Sequence, residues 1–221
     1  MIKAYWVELK KFDLETAVII AYSTFILLFS LYFQRPRFFM PKEPFLERLL
    51  VQGILYGFSP VLPMLLFRNK PGNYGITIGE PKIWIKDLLF FYIIMLIVLV
   101  ITFKFTNFKS FYPLYRKAGA GMHYFLIYQA IQLVHMFGWE FFFRGFMLFG
   151  LSKKMNPRIA ILIQTIPFAL MHYRKPYLEA YGSIFAGVFQ GVIAVRGKSF
   201  LPCAILHFLV AFTADVLGII F

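Results

Sequence analysis

Long, mostly apolar runs recur along this chain, and most are close to the ~20 residues a helix needs to cross the ~30 Å hydrocarbon core of a bilayer. They cover residues 14–33, 45–67, 88–103, 122–151, 158–172, 177–195 and 200–221. A water-soluble fold could not hide them all. Hydrophobic residues make up 60% of the 221 and charged residues only 15%, where soluble domains carry about 25% charged residues. The expected fold is an all-α polytopic membrane protein, a bundle of seven or eight transmembrane helices. It forms a single membrane domain over 1–221, with scaffold helices in 1–118 and the motif-bearing helices in 119–221.

The formal net charge is +13, a balance that in a soluble protein would point to nucleic acid. Here the bases sit between the apolar runs: Arg35 and Arg37, Arg68 and Lys70, Arg116 and Lys117, Lys153 and Lys154, Arg196 and Lys198. Basic residues at those places anchor helix ends against anionic headgroups, so the bilayer is the expected partner and nucleic acid is not. The amino-terminal side has a small excess of Lys and Arg, which favours a cytoplasmic amino terminus. The expected location is a multi-pass membrane protein, in the plasma membrane or, in a prokaryote, the inner membrane. The lone cysteine, Cys203, excludes an intrachain disulfide.

The runs differ in character. The first, 14–33, is stopped by Gln34-Arg35-Pro36-Arg37 and is expected to be a retained anchor, not a removed signal peptide. The second contains Gly53, Gly57, Pro60 and Pro63 and should kink. The fourth, 122–151, would be ~45 Å long as one helix. It should therefore either protrude and tilt or break near Gly138, which would raise the span count to eight. Asn156-Pro157 opens 158–172 as an N-cap and first-turn pair. Gly187-x-x-x-Gly191, with Gly182 and Ala186, gives 177–195 a close-packing face.

Ionisable groups at membrane depth are costly and usually face an interior cavity. All four histidines, His123, His135, His172 and His207, lie in apolar segments, together with Glu140, Arg144, Glu179 and Asp215. Glu140 and Arg144, at i and i+4 on one helix, can pair; the alternative to a functional role is an ion pair that neutralises two buried charges. His172 closes its helix and could be an interfacial histidine. His207 lies mid-span with no charge within three residues. Asp215 follows two turns later, about 80° round the helix, where it could bond another helix or line the same cavity. Glu179 could cap the first turn of its helix. His123 and His135 read as peripheral or structural. A Glu and two His without a plausible serine or cysteine nucleophile suggest water activation. The same three groups could hold zinc, although two His at i, i+4 around a Glu do not occur.

Trp139-Glu140-Phe141-Phe142-Phe143-Arg144-Gly145, Phe168-Ala169-Leu170-Met171-His172, and His207 in the last run resemble the three motifs of the CPBP family. These are the CAAX-processing and bacteriocin-processing (Abi) intramembrane endopeptidases, related to the eukaryotic prenyl-protein protease. The resemblance covers about a third of the chain. It implies a glutamate protease with no cofactor and no metal, acting near the membrane face on the carboxy-terminal tail of a membrane-anchored or lipidated protein. It implies Glu140 as the carboxylate, Arg144 as its support, His172 as co-activator of water and His207 as oxyanion donor; outside the resemblance, the chain's own polar residues offer Asp215 or Glu179 as an assistant. The chain departs from the pattern twice: Trp139 stands where the first of two adjacent Glu is expected, and Ala211 stands where the last motif ends in Asn. Three functions follow as expectations: an endopeptidase whose carboxylate role has moved to Glu140, a lapsed relative that binds a peptide as an immunity or scaffold protein, and a small transporter.

Overall fold

The computed structural model describes residues 11–33 and 38–221, so the polar stop after the first run, Gln34-Arg35-Pro36-Arg37, lies outside the described residues. All secondary structure among the described residues is helical. The principal helices are α1 (Leu14–Tyr32), α2 (Pro44–Phe58), α3 (Val61–Leu66), α4 (Pro81–Phe105), α5 (Met122–Glu140), α6 (Gly150–Ser152), α7 (Pro157–Leu170), α8 (Tyr177–Gly197) and α9 (Leu201–Ile220). Among the described residues, five helical stretches are long and apolar enough to cross a membrane: Leu14–Tyr32, Pro44–Leu66, Pro81–Phe105, Tyr177–Gly197 and Leu201–Ile220.

Local chemistry places the helix starts. Asp13 caps α1, its carboxylate accepting from the Thr16 N–H at 2.9 Å. Prolines occupy the first turns of α2, α4, α7 and α9, where a missing N–H costs nothing. Asn156 caps α7 as expected, accepting from the Arg158 N–H at 2.9 Å. The kink expected in the second run is the break between α2 and α3 at Ser59-Pro60.

The fourth run does not break at Gly138. It continues from α5 through a nine-residue π-helical segment, Phe141–Phe149, into α6. A π turn is wider than an α turn and is used sparingly, often at functional sites. Here it spreads bulky side chains around the whole circumference: every residue from Phe141 to Leu148 is buried. Phe142, Phe143, Phe146 and Leu148 form the centre of the main core with Tyr56 of α2 and Phe168 of α7.

Gly138 instead permits a close crossing of α5 and α2. A Cβ built on it would lie 2.0 Å from the Gly53 carbonyl oxygen, and one on Gly53 would lie 2.6 Å from the His135 Cα. Backbone cannot yield as a side chain can, so Gly138→Ala should force the helices apart and cost about 1–3 kcal/mol, read as a lower thermal midpoint in detergent. Gly57→Ala is the control, because its Cβ would meet the Gly138 Cα at an ordinary 3.6 Å. Unchanged stability in Gly138→Ala would refute the crossing. The α7–α8 seam is similar: Cβ atoms on Gly187 and Gly191 would meet Thr165 at 2.7 Å and Ile161 at 2.9 Å. Gly182, expected in that seam, is not part of it, since nothing lies within 4 Å of its Cβ position.

The outer surface is apolar where a soluble protein would be polar. Along α4, Leu89, Ile93, Ile97 and Ile101 form an exposed stripe at four-residue spacing, the face expected against lipid. The polar side chains turn inward: Glu140, Arg144 and Asp215 have no solvent exposure.

Candidate active site

The site is built where α5 passes into the π-helical segment and meets α7, α8 and α9. Glu140 is the last residue of α5 and Arg144 lies four residues on. The Arg144 Nη1 donates to Glu140 Oε2 at 2.9 Å and to Oε1 at 3.1 Å. From α9, His207 places its Nδ1 2.6 Å from Glu140 Oε1. From α8, the Gln190 amide lies against the same carboxylate. With its nitrogen assigned to that side by its surroundings, it donates at 3.1 Å to Oε2 and 3.2 Å to Oε1. The charge is thus paired and hydrogen-bonded, the condition under which a carboxylate can stay buried.

Arg144 is held by more than Glu140. Its guanidinium carbon lies 4.0 Å from the centroid of the Phe168 ring, a cation–π contact in a desolvated setting. Its Nε and Nη2 have no hydrogen-bond partner among the described residues.

His172 follows α7 and is positioned from its own helix, the Nδ1 lying 2.8 Å from the Phe168 carbonyl oxygen. A carbonyl can only accept, so that nitrogen carries a proton, and in the neutral imidazole Nε2 is the atom with the lone pair. The same reasoning applies to His207, whose Nδ1 faces a carboxylate. The two imidazoles lie 6.3 Å apart with 21° between their planes, and Phe168 borders both, at 4.8 Å from His172 and 6.1 Å from His207. His207 keeps 16% of its side chain exposed, whereas Glu140 keeps none. Trp139 stands edge-on to His172 at 6.0 Å and packs on His135 at 5.7 Å. Its indole nitrogen is buried without an acceptor among the described residues.

Of the residues singled out from the sequence, Glu140, Arg144 and His207 are in direct contact and His172 stands beside His207. Glu179 and Asp215 form separate groups. Asp215 accepts from Gln132 Nε2 at 3.0 Å, Gln129 Nε2 at 3.1 Å, the Tyr128 hydroxyl at 3.3 Å and the Leu114 N–H at 3.4 Å. Glu179 accepts from the Tyr112 hydroxyl at 2.7 Å and pairs with Lys175 at 3.0 Å. His135 has its Nδ1 3.1 Å from the Leu49 carbonyl oxygen, and His123 is exposed. Among the described residues, no three His, Cys, Asp or Glu side chains gather as a metal-ligand set.

Two residues of the site escape a reading of the sequence alone. Gln190 is an uncharged polar residue in an apolar run, and its interior position next to Gly187 and Gly191 is the signal that could have found it. Phe168 is one of 29 phenylalanines, and nothing local marks it as the ring under a guanidinium.

Residues 121–213 match a family model described as Rce1-like, type II CAAX prenyl endopeptidase Rce1-like. No curated protein and no solved structure matches the chain. The matched stretch holds Glu140, Arg144, His172, Gln190 and His207, while Asp215 lies just beyond it. The family is one of proteases, and with five apolar helices the chain is an integral membrane protein. Over this carboxy-terminal part, the chain is similar to the Rce1-like family of type II CAAX prenyl endopeptidases.

Proposed function

We propose that this protein is a multi-pass intramembrane endopeptidase in which His207, backed by Glu140, activates the attacking water. The observation that carries the proposal is the 2.6 Å contact between His207 Nδ1 and Glu140 Oε1. Glu140 has its oxygens occupied by Arg144, His207 and Gln190 and is wholly buried. It therefore serves as the group that orients an imidazole and stabilises its charged form, the part a carboxylate plays behind a catalytic histidine. The more exposed His207 is the base. This exchanges the roles that the resemblance implies, which made Glu140 the direct activator and His207 the oxyanion donor.

Each step then has a residue. A water held by the Nε2 lone pairs of His207 and His172, at about 2.8 Å from each, loses a proton to His207 as its oxygen attacks the peptide carbonyl. The imidazolium formed on His207 is compensated by Glu140 and lies against the developing oxyanion. The tetrahedral species collapses, the C–N bond breaks, and the proton on His207 passes to the leaving amine. Burial strengthens each of these electrostatic contributions.

The substrate we propose is the carboxy-terminal tail of a membrane-anchored or lipidated protein. The chain would present it by seven crossings, the five long stretches plus the continuous Met122–Ser152 helix and α7. The experiment is cleavage of a panel of membrane-tethered carboxy-terminal peptides by the purified protein in lipid, with products identified by mass. A single internal cut, slowed about 10²-fold by His172→Ala, is the expected result.

A second reading is favoured by Trp139, which fills the space beside His172 with a hydrophobic ring: a lapsed relative that holds a peptide without cutting it. Tight retention of the peptides with no product from the wild-type protein would establish that reading in place of the first.

A further inference from the structure

Two groups outside the site share one short segment of chain. Tyr112 and Leu114 stand two residues apart in the connection between α4 and α5; Tyr112 reaches the start of α8 and the connection that holds His172, and Leu114 reaches α9, which holds His207. Tyr112 donates its hydroxyl hydrogen to Glu179 Oε2 at 2.7 Å and accepts from Lys175 Nζ at 2.9 Å, while Lys175 and Glu179 pair at 3.0 Å. Lys175 is also bound through its backbone to the site, its N–H donating to the His172 carbonyl at 2.9 Å. On the other side, the Leu114 N–H donates to Asp215 on α9, two turns beyond His207. The same helix comes so close that a Cβ on Gly218 would lie 2.6 Å from the Tyr112 carbonyl.

We infer that residues 112–114 form a bracket that sets the spacing between His172 and His207, with Tyr112 as the positioning residue for His172. The inference rests on the reading of those two histidines as the water-activating pair. It gives Glu179 and Asp215 a place: they hold the two ends of the bracket and do not touch the reacting atoms. Tyr112 suits the task. It is 5% exposed, and burial, with Glu179 beside it, pushes its phenol well above the ordinary range, so it stays a neutral hydroxyl able both to donate and to accept.

The test uses Tyr112→Phe, which keeps the ring packed on Phe103 and Phe108 and removes only the oxygen. Two readouts are taken on full-length protein in lipid. The first is the side-chain nitrogen NMR signals of the histidines, which requires no activity: the His172 signals should move while those of His135 stay. The second is steady-state cleavage: kcat should fall about 10-fold with KM within about twofold, as for a displaced catalytic group. In a His172→Ala background, Tyr112→Phe should then cost nothing more. Glu179→Gln, which keeps an acceptor for the hydroxyl, should retain most of the rate that Glu179→Ala loses. Unmoved His172 signals in Tyr112→Phe, or a further loss on top of His172→Ala, would overturn the bracket. Absence of cleavage by the wild-type protein would overturn the protease reading instead, and the NMR result would still decide whether Tyr112 positions His172.

Discussion

Replacing His207 with alanine should lower peptide cleavage by at least ~10³-fold while leaving the protein folded. General base catalysis by a positioned side chain supplies about 10²–10⁴-fold, and the same imidazole here must also return the proton to the leaving amine. The fold should tolerate the change because the charge balance survives it: Glu140 keeps Arg144 at 2.9 Å and Gln190 at 3.1 Å. Thermal midpoints measured beside the rates separate the two effects. A variant that loses activity only because it unfolds would contradict this assignment.

The opposite profile is expected of Arg144→Leu. Its removal leaves the Glu140 carboxylate in a site with no solvent exposure and without its guanidinium partner, with only the Gln190 amide and the His207 imidazole against it. Breaking a buried pair from one side costs about 3–5 kcal/mol, and the lost cation–π contact with Phe168 adds to it. A large fall in the unfolding midpoint is the expected result. Pairing it with Glu140→Leu should recover part of the loss, because two apolar residues leave no stranded charge. A double variant less stable than Arg144→Leu would show that the pair is worth more than its desolvation.

Much of this was legible in the residues. The apolar runs mark the helices because length and hydropathy suffice to identify a span. The pairing of Glu140 with Arg144 follows from their spacing on one helix, and His207 is singled out by the cost of an ionisable group in mid-span. The π-helical segment was not legible. Gly145 alone in Phe141–Phe149 strongly disfavours an α-helix, and a single glycine does not specify a π turn; the wider turns accompany burial of the whole circumference, which is set by α1, α2, α7 and α8 together. Asp215 shows a second limit. Its position along α9 is readable, but whether it faces Glu140 or Gln129 and Gln132 depends on how α9 packs on α5. Glu179 similarly turns to Tyr112, 67 residues away in sequence. The role proposed for Glu140, support in place of base, has the same origin: its saturation depends on Gln190 and His207, from two other helices.

The most direct measurement compares kcat/KM for Glu140→Gln, His207→Ala and the double variant on one peptide in lipid. If Glu140 acts through His207, the double variant will be no slower than His207→Ala alone, because a support has nothing left to support. Losses that multiply in the double variant, or a Glu140→Gln defect far exceeding that of His207→Ala, would show that Glu140 itself takes the proton from water and would contradict the account.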